Sequence, residues 1–592
     1  MTVINSTETR RRIVQKSIRK SCKKVCSVKS VKSLLPITTW LPKYNITLLI
    51  QDIIAGITVG LTAIPQGIAY AIVAGLPPEY GLYAGLMGGI VYLFFGSCKD
   101  ITIGPTAILS AMTAKYVSDY SYDYAILVAF LSGWVILTMG VMNLGFLVEF
   151  ISIPVISGFT TAAALQIASA QLISLFGMEG KSGNYFSESI ISFFKNITTI
   201  NIRDSVLGII TILMLLVLKR IGEGCSRTDG VVKQLRWFIS IGRNAVVVII
   251  GIIIAYSLKV TTGEEPLRII GEIGSGLPTI QSPPFSTVVG NETHNFIDML
   301  QTIGPGSIIL PLVAILELIA IAKAFAGGAE VNATQEMIAL GLCNIIGSFA
   351  LSMPITGSFT RTALNNASGV QTTAGGIFTA ILILLALSLL TSTFYYIPKA
   401  SLAGLIITAM FYMIDYKIFI RLWKTSKREL FYFIATICVC LVLGLEYGIV
   451  AGVIIDALVL LFTSARPSLE VNNIIETKGY VCIIIRLPES LPYCAADHLR
   501  RKILKISFGA ECDTFIIIDG VVLRKMDSTV ASNLMSLIKD VEKSNVKILF
   551  LNFDNYFKDM CNMINPKYSN KFLTCCSDNI EDIVEITVKT SV

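Results

Sequence analysis

Residues 46–465 carry only 44 charged side chains over 420 positions, and this one feature decides the solvent in which the chain can fold. A block so poor in charge cannot cover itself with polar surface, so it belongs in a lipid bilayer. The flanks differ. Residues 1–45 hold eleven Lys/Arg and a single acid, Glu8, while residues 466–592 hold 16 basic and 16 acidic residues, the charge density of a soluble domain. With a mean hydropathy of +0.70, the chain is excluded from the collagenous, disordered and small disulfide-scaffold classes. Three parts follow: a basic arm (1–45), a membrane domain (46–465) and a soluble tail (466–592). At about 30 residues per crossing and connection, the middle block accommodates roughly 14 spans.

The distribution of Lys and Arg predicts the sides. The arm, the loop at 219–243 and the loop at 417–428 are rich in cations and are expected in the cytoplasm; the acidic segment 260–300, with Glu264, Glu265, Glu272, Glu292 and Asp298, is expected outside. An even number of crossings returns the tail to the cytoplasm. Six of the 13 cysteines lie in that tail and none in the loops at 178–200 and 260–300, which agrees with a reducing compartment. The basic start lacks the apolar core and cleavage site of a signal peptide. Asn-x-Ser/Thr occurs six times, but only Asn196 and Asn291 fall in the expected outer loops, so these two are the glycan candidates. No CxxC pair with a matching histidine is present, so neither a metal site nor a cofactor is expected.

The hydropathy pattern places spans at 50–73, 79–95, 101–116, 124–144, 153–176, 203–218, 244–258, 306–325, 335–352, 356–369, 374–393, 397–414, 430–446 and 448–464. Two of them are interrupted. Ile101-Thr102-Ile103 runs into Gly104-Pro105 before helix formers resume, and Pro354 is followed by Thr356-Gly357-Ser358-Phe359-Thr360-Arg361. Each helical remainder is about 12 residues, roughly 18 Å, little more than half of the hydrocarbon thickness. Both therefore read as half-helices entered through extended backbone, with Thr or Ser as caps. The interruptions are 253 residues apart, the signature of an inverted repeat with its site at the bilayer midplane. Two helix starts aimed at one point favour an anion. Two proline kinks in packed helices are the structural alternative.

Arg361, in the first turn of the second half-helix, adds a full positive charge there; the alternative is a structural pair with Glu317. Ser358 and Thr360, with Thr106 opposite, supply hydroxyl donors for an oxyanion or simple caps. Glu317, midway along the eighth span, is the candidate proton carrier, or else neutralises Arg361 or Lys323. The only histidines, His294 and His498, lie outside the bilayer, so a membrane proton relay falls to carboxylates. Gln66 precedes Glu317 by 251 residues and so shares its depth in the other repeat, and Tyr70 lies one turn beyond Gln66.

These residues sit in segments that resemble a known family. Pro65-Gln66-Gly67-Ile68-Ala69-Tyr70-Ala71, Gly75 through Tyr83 (GLPPEYGLY), Gly104-Pro105-Thr106-Ala107, Glu317 through Phe325 (ELIAIAKAF) with Asn332 through Glu336, and Gly357 through Asn365 are similar to the hallmark segments of the sulfate permease family. The resemblance implies a polytopic α-helical membrane protein of 14 transmembrane segments, built as a 7+7 inverted repeat with two half-helices and core and gate parts. It also implies elevator-type anion transport, a homodimer and a C-terminal α/β STAS domain. The family's substrate shell maps to Gln66, Tyr70, Thr106, Ser358, Phe359, Thr360 and Arg361, and retention of Glu317 points to proton-linked transport.

In the tail, apolar runs at 481–485, 515–518 and 546–551 alternate with helical patterns near 495–506, 529–543 and 579–588, an α/β arrangement. Asp527-Ser528-Thr529 resembles the phosphorylated segment of bacterial anti-sigma-factor antagonists, with Val530 in place of the usual glycine. The tail lacks a Walker-type loop or a catalytic triad, so the function expected is not enzymatic. Secondary transport of sulfate or related anions (chloride, bicarbonate, oxalate), by proton coupling or exchange, is the leading reading, and a passive chloride channel on the same fold is the alternative. The expected partners are these anions, protons, membrane lipid (which the basic arm can touch) and a second copy, without nucleic acid. The sequence leaves open the plasma membrane or a lysosomal or other endomembrane.

Overall fold

The structure is a computed structural model that describes residues 34–573 apart from 147–150, 181, 184, 222–235, 237, 238, 241, 263, 273, 275, 291, 327–329, 478, 479, 510–513, 544 and 545. It divides into two units, one ending at Val453 and the other starting at Ile454. The Asn45 side chain accepts from the Leu48 N–H and starts α1 (Ile46–Val73). There follow α2 (Pro78–Phe95), the two-residue strand β1 (Ile103–Gly104), α3 (Ala107–Asp119), α4 (Tyr122–Val141), α5 (Ile153–Leu175), α6 (Ile202–Ile221) and α7 (Arg243–Thr262). After a hairpin of β2 (Ser286–Val289) and β3 (Glu292–Asn295) come α8 (Gly306–Phe325), α9 (Ala333–Ser348), β4 (Thr356–Gly357), α10 (Phe359–Ala367), α11 (Gly375–Leu389), α12 (Lys399–Met413), α13 (Lys427–Leu443) and α14 (Leu445–Ala465).

All fourteen expected segments are present. Seven helices among the described residues are long and apolar enough to cross a bilayer by themselves; the others, shorter or more charged, need protein neighbours. The half-helices are 13 and 9 residues long, so the second is shorter than the sequence suggests. The three short helices Phe186–Lys195, Phe296–Ile303 and Tyr416–Thr425 lie where only loops were expected. All are amphipathic, and their polar faces mask them in a hydropathy pattern.

The helix pairings reveal the repeat. α4 packs on α9 and α2 on α11, α1 on α11 and α4 on α8, α5 on α13 and α6 on α12, and α5 pairs with α12 and α2 with α9. Adding or subtracting seven exchanges the two members of each of the first three couples and returns α5–α12 and α2–α9 to themselves. Seven is odd, so helices related in this way cross in opposite directions: the repeat is inverted. One cluster gathers α1, α2, α4, α8, α9 and α11; α5, α6, α12 and α13 form a second.

Two buried carboxylates fasten loops to the first cluster. Glu336, in the first turn of α9, accepts from the Ser97 N–H (3.0 Å), the Ser97 hydroxyl (2.6 Å), the Cys98 N–H (3.1 Å) and the Tyr92 hydroxyl (2.7 Å). Asp52 on α1 accepts from the Gln371 N–H (2.9 Å), the Thr372 N–H (3.2 Å) and hydroxyl (2.5 Å), and the Tyr44 hydroxyl (3.1 Å). A carboxylate is affordable there because donors replace the water it has lost.

The second unit is an α/β tail. Its sheet has the order β11-β10-β8-β6-β5, made of β5 (Glu470–Thr477), β6 (Tyr480–Arg486), β8 (Phe515–Asp519), β10 (Lys547–Leu551) and β11 (Phe572–Leu573). Only the β5–β6 pairing is antiparallel. The short strands β7 (Ser490–Leu491) and β9 (Lys525–Met526) pair apart from this sheet. Helices α15 (Ala496–Phe508), α16 (Ser528–Glu542) and α17 (Asn555–Ile564) bury Leu499, Ile503, Leu534, Ile538 and Phe557 in one core with Ile485, Ile518 and Phe550. Asp527 precedes α16 but does not cap it with its side chain; its carboxylate accepts from the Tyr493 N–H instead (2.7 Å). Val530 is fully buried in that core, which accounts for an apolar residue at the position, and Ser528 is exposed. The helical pattern near 579–588 lies outside the described residues.

Glu336→Gln replaces an acceptor by a group with two donors at a point where four donors already converge. It is expected to lower stability by about 3 kcal/mol, read as a lower melting temperature and a smaller folded fraction in detergent.

Candidate functional site

The two interruptions meet. β1 and β4 pair antiparallel, Ile103 opposite Gly357 and Gly104 opposite Thr356. The pairing extends on both sides: the Ser358 N–H donates to Thr102 O (3.0 Å), and the Thr102 N–H donates to the Thr362 hydroxyl (3.2 Å). Further along, the Asn365 amide donates to Asp100 O (3.0 Å) and that of Asn366 to the Asp100 carboxylate (3.1 Å). The β-branched Ile101-Thr102-Ile103 favours extended backbone, and Pro105 cannot donate to a ladder, so the strand ends there. From this short sheet α3 and α10 start.

Neither start is capped by a side chain. Thr106 and Ser358 occupy the N-cap positions in extended conformation, but their hydroxyls do not bond to their own helices, contrary to the capping role read from sequence. The Thr106 hydroxyl donates to Glu317 (3.2 Å), and the Ser358 hydroxyl lies 3.4 Å from that of Thr360. The first N–H groups of both helices are thus left without side-chain acceptors.

Arg361 is 1% exposed. One guanidinium nitrogen, Nη2, donates to Pro105 O (2.8 Å), and Nε has no partner. Among the described residues it forms no ion pair, so the pairing with Glu317 weighed from sequence is not made; Glu317 and Tyr70 are the titratable groups that sense its charge. Glycine at 104 makes room for it: a Cβ there would lie 3.0 Å from Arg361 Nη2. Gly357 across the ladder has the same tightness, its Cβ falling 3.0 Å from the Leu318 side chain.

Helix α1 supplies the facing wall. Gln66 is 2% exposed and its Oε1 has no partner, and Tyr70, one turn on, is buried within reach of the charges on Arg361 and Glu317. Of the expected residues, Tyr70, Thr106, Glu317 and Arg361 therefore converge, and Ser358 and Thr360 stand at the start of α10. Phe359 is turned outward, half exposed, with its ring 5.3 Å from that of Phe325. The sequence reading missed two groups: the hydroxyls of Thr62, one turn before Gln66, and Ser110, one turn after Thr106, are both buried without partners. Their spacing of four from recognised residues was the available signal.

The glycan candidates are not alike. Asn196 ends the helix Phe186–Lys195, and its Nδ2 donates to Ser192 O (2.9 Å); Asn291 lies outside the described residues. No group of three or more metal-ligating side chains occurs among the described residues.

The profile of the sulfate permease family matches residues 49–436, which contain every part of this crossing. The chain belongs to the sulfate permease family. It is 40% identical over 530 residues to the sodium-independent sulfate anion transporter of Bos taurus, covering 87% of this chain and 86% of that one. It is 31% identical over 520 residues to the chloroplastic sulfate transporter 4.1 of Arabidopsis thaliana, covering 86% and 69%. The fold matches the murine Solute Carrier 26 family member A9 anion transporter, solved in the inward-facing state, with a TM-score of 0.81 at 22% identity over 95% of this chain and 96% of that one. The protein is thus a multi-pass membrane permease of fourteen segments and not an enzyme.

Gly104→Val would push branched carbons into the space held by the guanidinium. The expected outcome is a folded protein whose transport falls at least roughly tenfold, a displacement of about 1 Å being enough for such a loss; vesicle uptake alongside a melting curve checks it.

Proposed function

We propose that the chain carries sulfate, or a small anion of similar geometry, across the membrane, and that the anion binds where α3 and α10 begin. One observation carries this reading: a buried arginine without a carboxylate partner, its Nε unspent, stands between two helix starts that no side chain caps. A buried cation left in that condition costs several kcal/mol, and an anion removes the cost. The donors suit an oxyanion: the N–H groups of two helix starts, the hydroxyls of Thr106, Ser358 and Thr360, the Gln66 amide and the Tyr70 hydroxyl. Phe359, against Phe325, serves as an apolar edge. The names of the bovine and plant relatives support sulfate as cargo.

Glu317 supports coupling. Its carboxylate faces Thr106, on the wall of the same site, and is partly open. A proton taken up there offsets one negative charge of an incoming dianion and travels with it. Asp52 and Glu336 hold the cluster of α1, α2, α4, α8, α9 and α11 together as a block, which suits an elevator movement against α5, α6, α12 and α13. The charge pattern supports cytoplasmic termini. The α/β tail, in the place of a STAS domain, would assist a homodimer.

Arg361→Ala is expected to weaken sulfate more than chloride by roughly tenfold, since a second negative charge doubles the Coulomb gain from the same cation. Competition of radiolabelled anions in proteoliposomes measures it; equal losses for both ions would count against direct contact. Glu317→Gln is expected to leave protein abundance intact and to flatten the dependence of sulfate uptake on an imposed pH gradient, whereas a slope matching the unmodified protein, or large unitary chloride currents, would refute coupled transport.

A further inference from the structure

The second unit carries a one-sided basic face that transport does not use. On α15, His498, Arg501, Lys502 and Lys505 recur at spacings of three and four, which places them on one face of the helix. The opposite face, with Leu499 and Ile503, is buried in the tail core. Four other cations of the tail have acidic partners: Arg500 and Lys543 pair with Asp540, Arg486 with Asp519 and Lys571 with Glu542. Arg501, Lys502 and Lys505 form no ion pair among the described residues, and neither does Arg466. Arg466 follows directly on α14, whose last turns expose Leu458, Leu460, Leu461 and Phe462, as a lipid-facing helix does. Its guanidinium lies over the Phe462 ring, 4.5 Å from the centroid.

The two features belong together in space. Burial lowers the His498 pKa, and the nearby charges of Lys502, Arg466 and Arg501 lower it further, so Arg466, at the end of α14, is close enough to α15 for its charge to reach His498. Two large aromatic side chains flank it in water, Phe508 at the end of α15 (74% exposed) and Tyr493 just before its start (68% exposed). A merely solvated face has no use for them. Cations with aromatic edges, following on an apolar helix that ends at Ala465, match the interface between headgroups and acyl chains.

We propose that Arg501, Lys502 and Lys505, with Arg466 and His498, form a docking surface for the anionic lipid headgroups of the leaflet from which α14 emerges. Each cation near such a surface strengthens the attraction roughly fivefold, and the effect fades with salt.

The test uses the full-length protein in lipid nanodiscs and residue-resolved acylation of lysines, read by mass spectrometry. In discs rich in phosphatidylserine, Lys502 and Lys505 should react several-fold more slowly than in phosphatidylcholine alone. Lys543 should react equally in both, and high salt should abolish the difference. In Arg501→Glu/Lys505→Glu, two exposed substitutions, the protection of Lys502 should disappear while the melting temperature holds. Equal reactivity of Lys502 and Lys505 in the two lipids overturns the proposal. So does equal protection in phosphatidylcholine discs by inorganic phosphate, which marks a soluble-anion site, or by an acidic peptide, which marks a protein-docking face.

Discussion

A peptide group inside a bilayer has no water to turn to, and the membrane unit is organised around the one place where two spans break that rule together. β1 and β4 satisfy each other's backbone groups, and Thr102 extends the exchange to Ser358 and Thr362. Each interruption is tolerable because the other is there. The same arrangement spends the strand donors and leaves those at the helix starts, so the mutual repair of two broken spans also creates a demand for negative charge.

The repeat that builds this crossing is symmetric in its backbone and unequal in its side chains. Each half brings a strand, a glycine at the ladder and a half-helix begun by a hydroxyl residue. The arginine belongs to one half alone: the matching turn of α3 carries the buried Ile108 and Leu109. The acid is likewise unique: 251 positions before Glu317 the first half has Gln66. One half therefore supplies the strong charges at the crossing and the other neutral polar groups.

Much of this was legible in the sequence, for identifiable reasons. Fourteen segments follow from long apolar runs, and the two broken ones from Gly-Pro and Pro-x-x-Gly signals that have no place inside a continuous span. What sequence could not give depends on contacts across it. Nothing in the local sequence of Asp52 or Glu336 marks what holds them, and only the fold brings residues about 320 and 240 positions away to bond them. Asp527 and Thr106 have the local chemistry of caps, yet tertiary partners take up their side chains. Thr62 and Ser110 are small polar residues in apolar helices, for which pattern carries little weight.

The clasp at Asp52 has a mechanical corollary. Tyr44 lies before the first membrane helix, yet its hydroxyl shares a carboxylate with Thr372, in the loop that follows α10. The chain ahead of α1 is thus wired to the far end of the half-helix whose near end bears Arg361. A displacement of Tyr44 is therefore felt behind the crossing of the two strands as well as at the tip of α1.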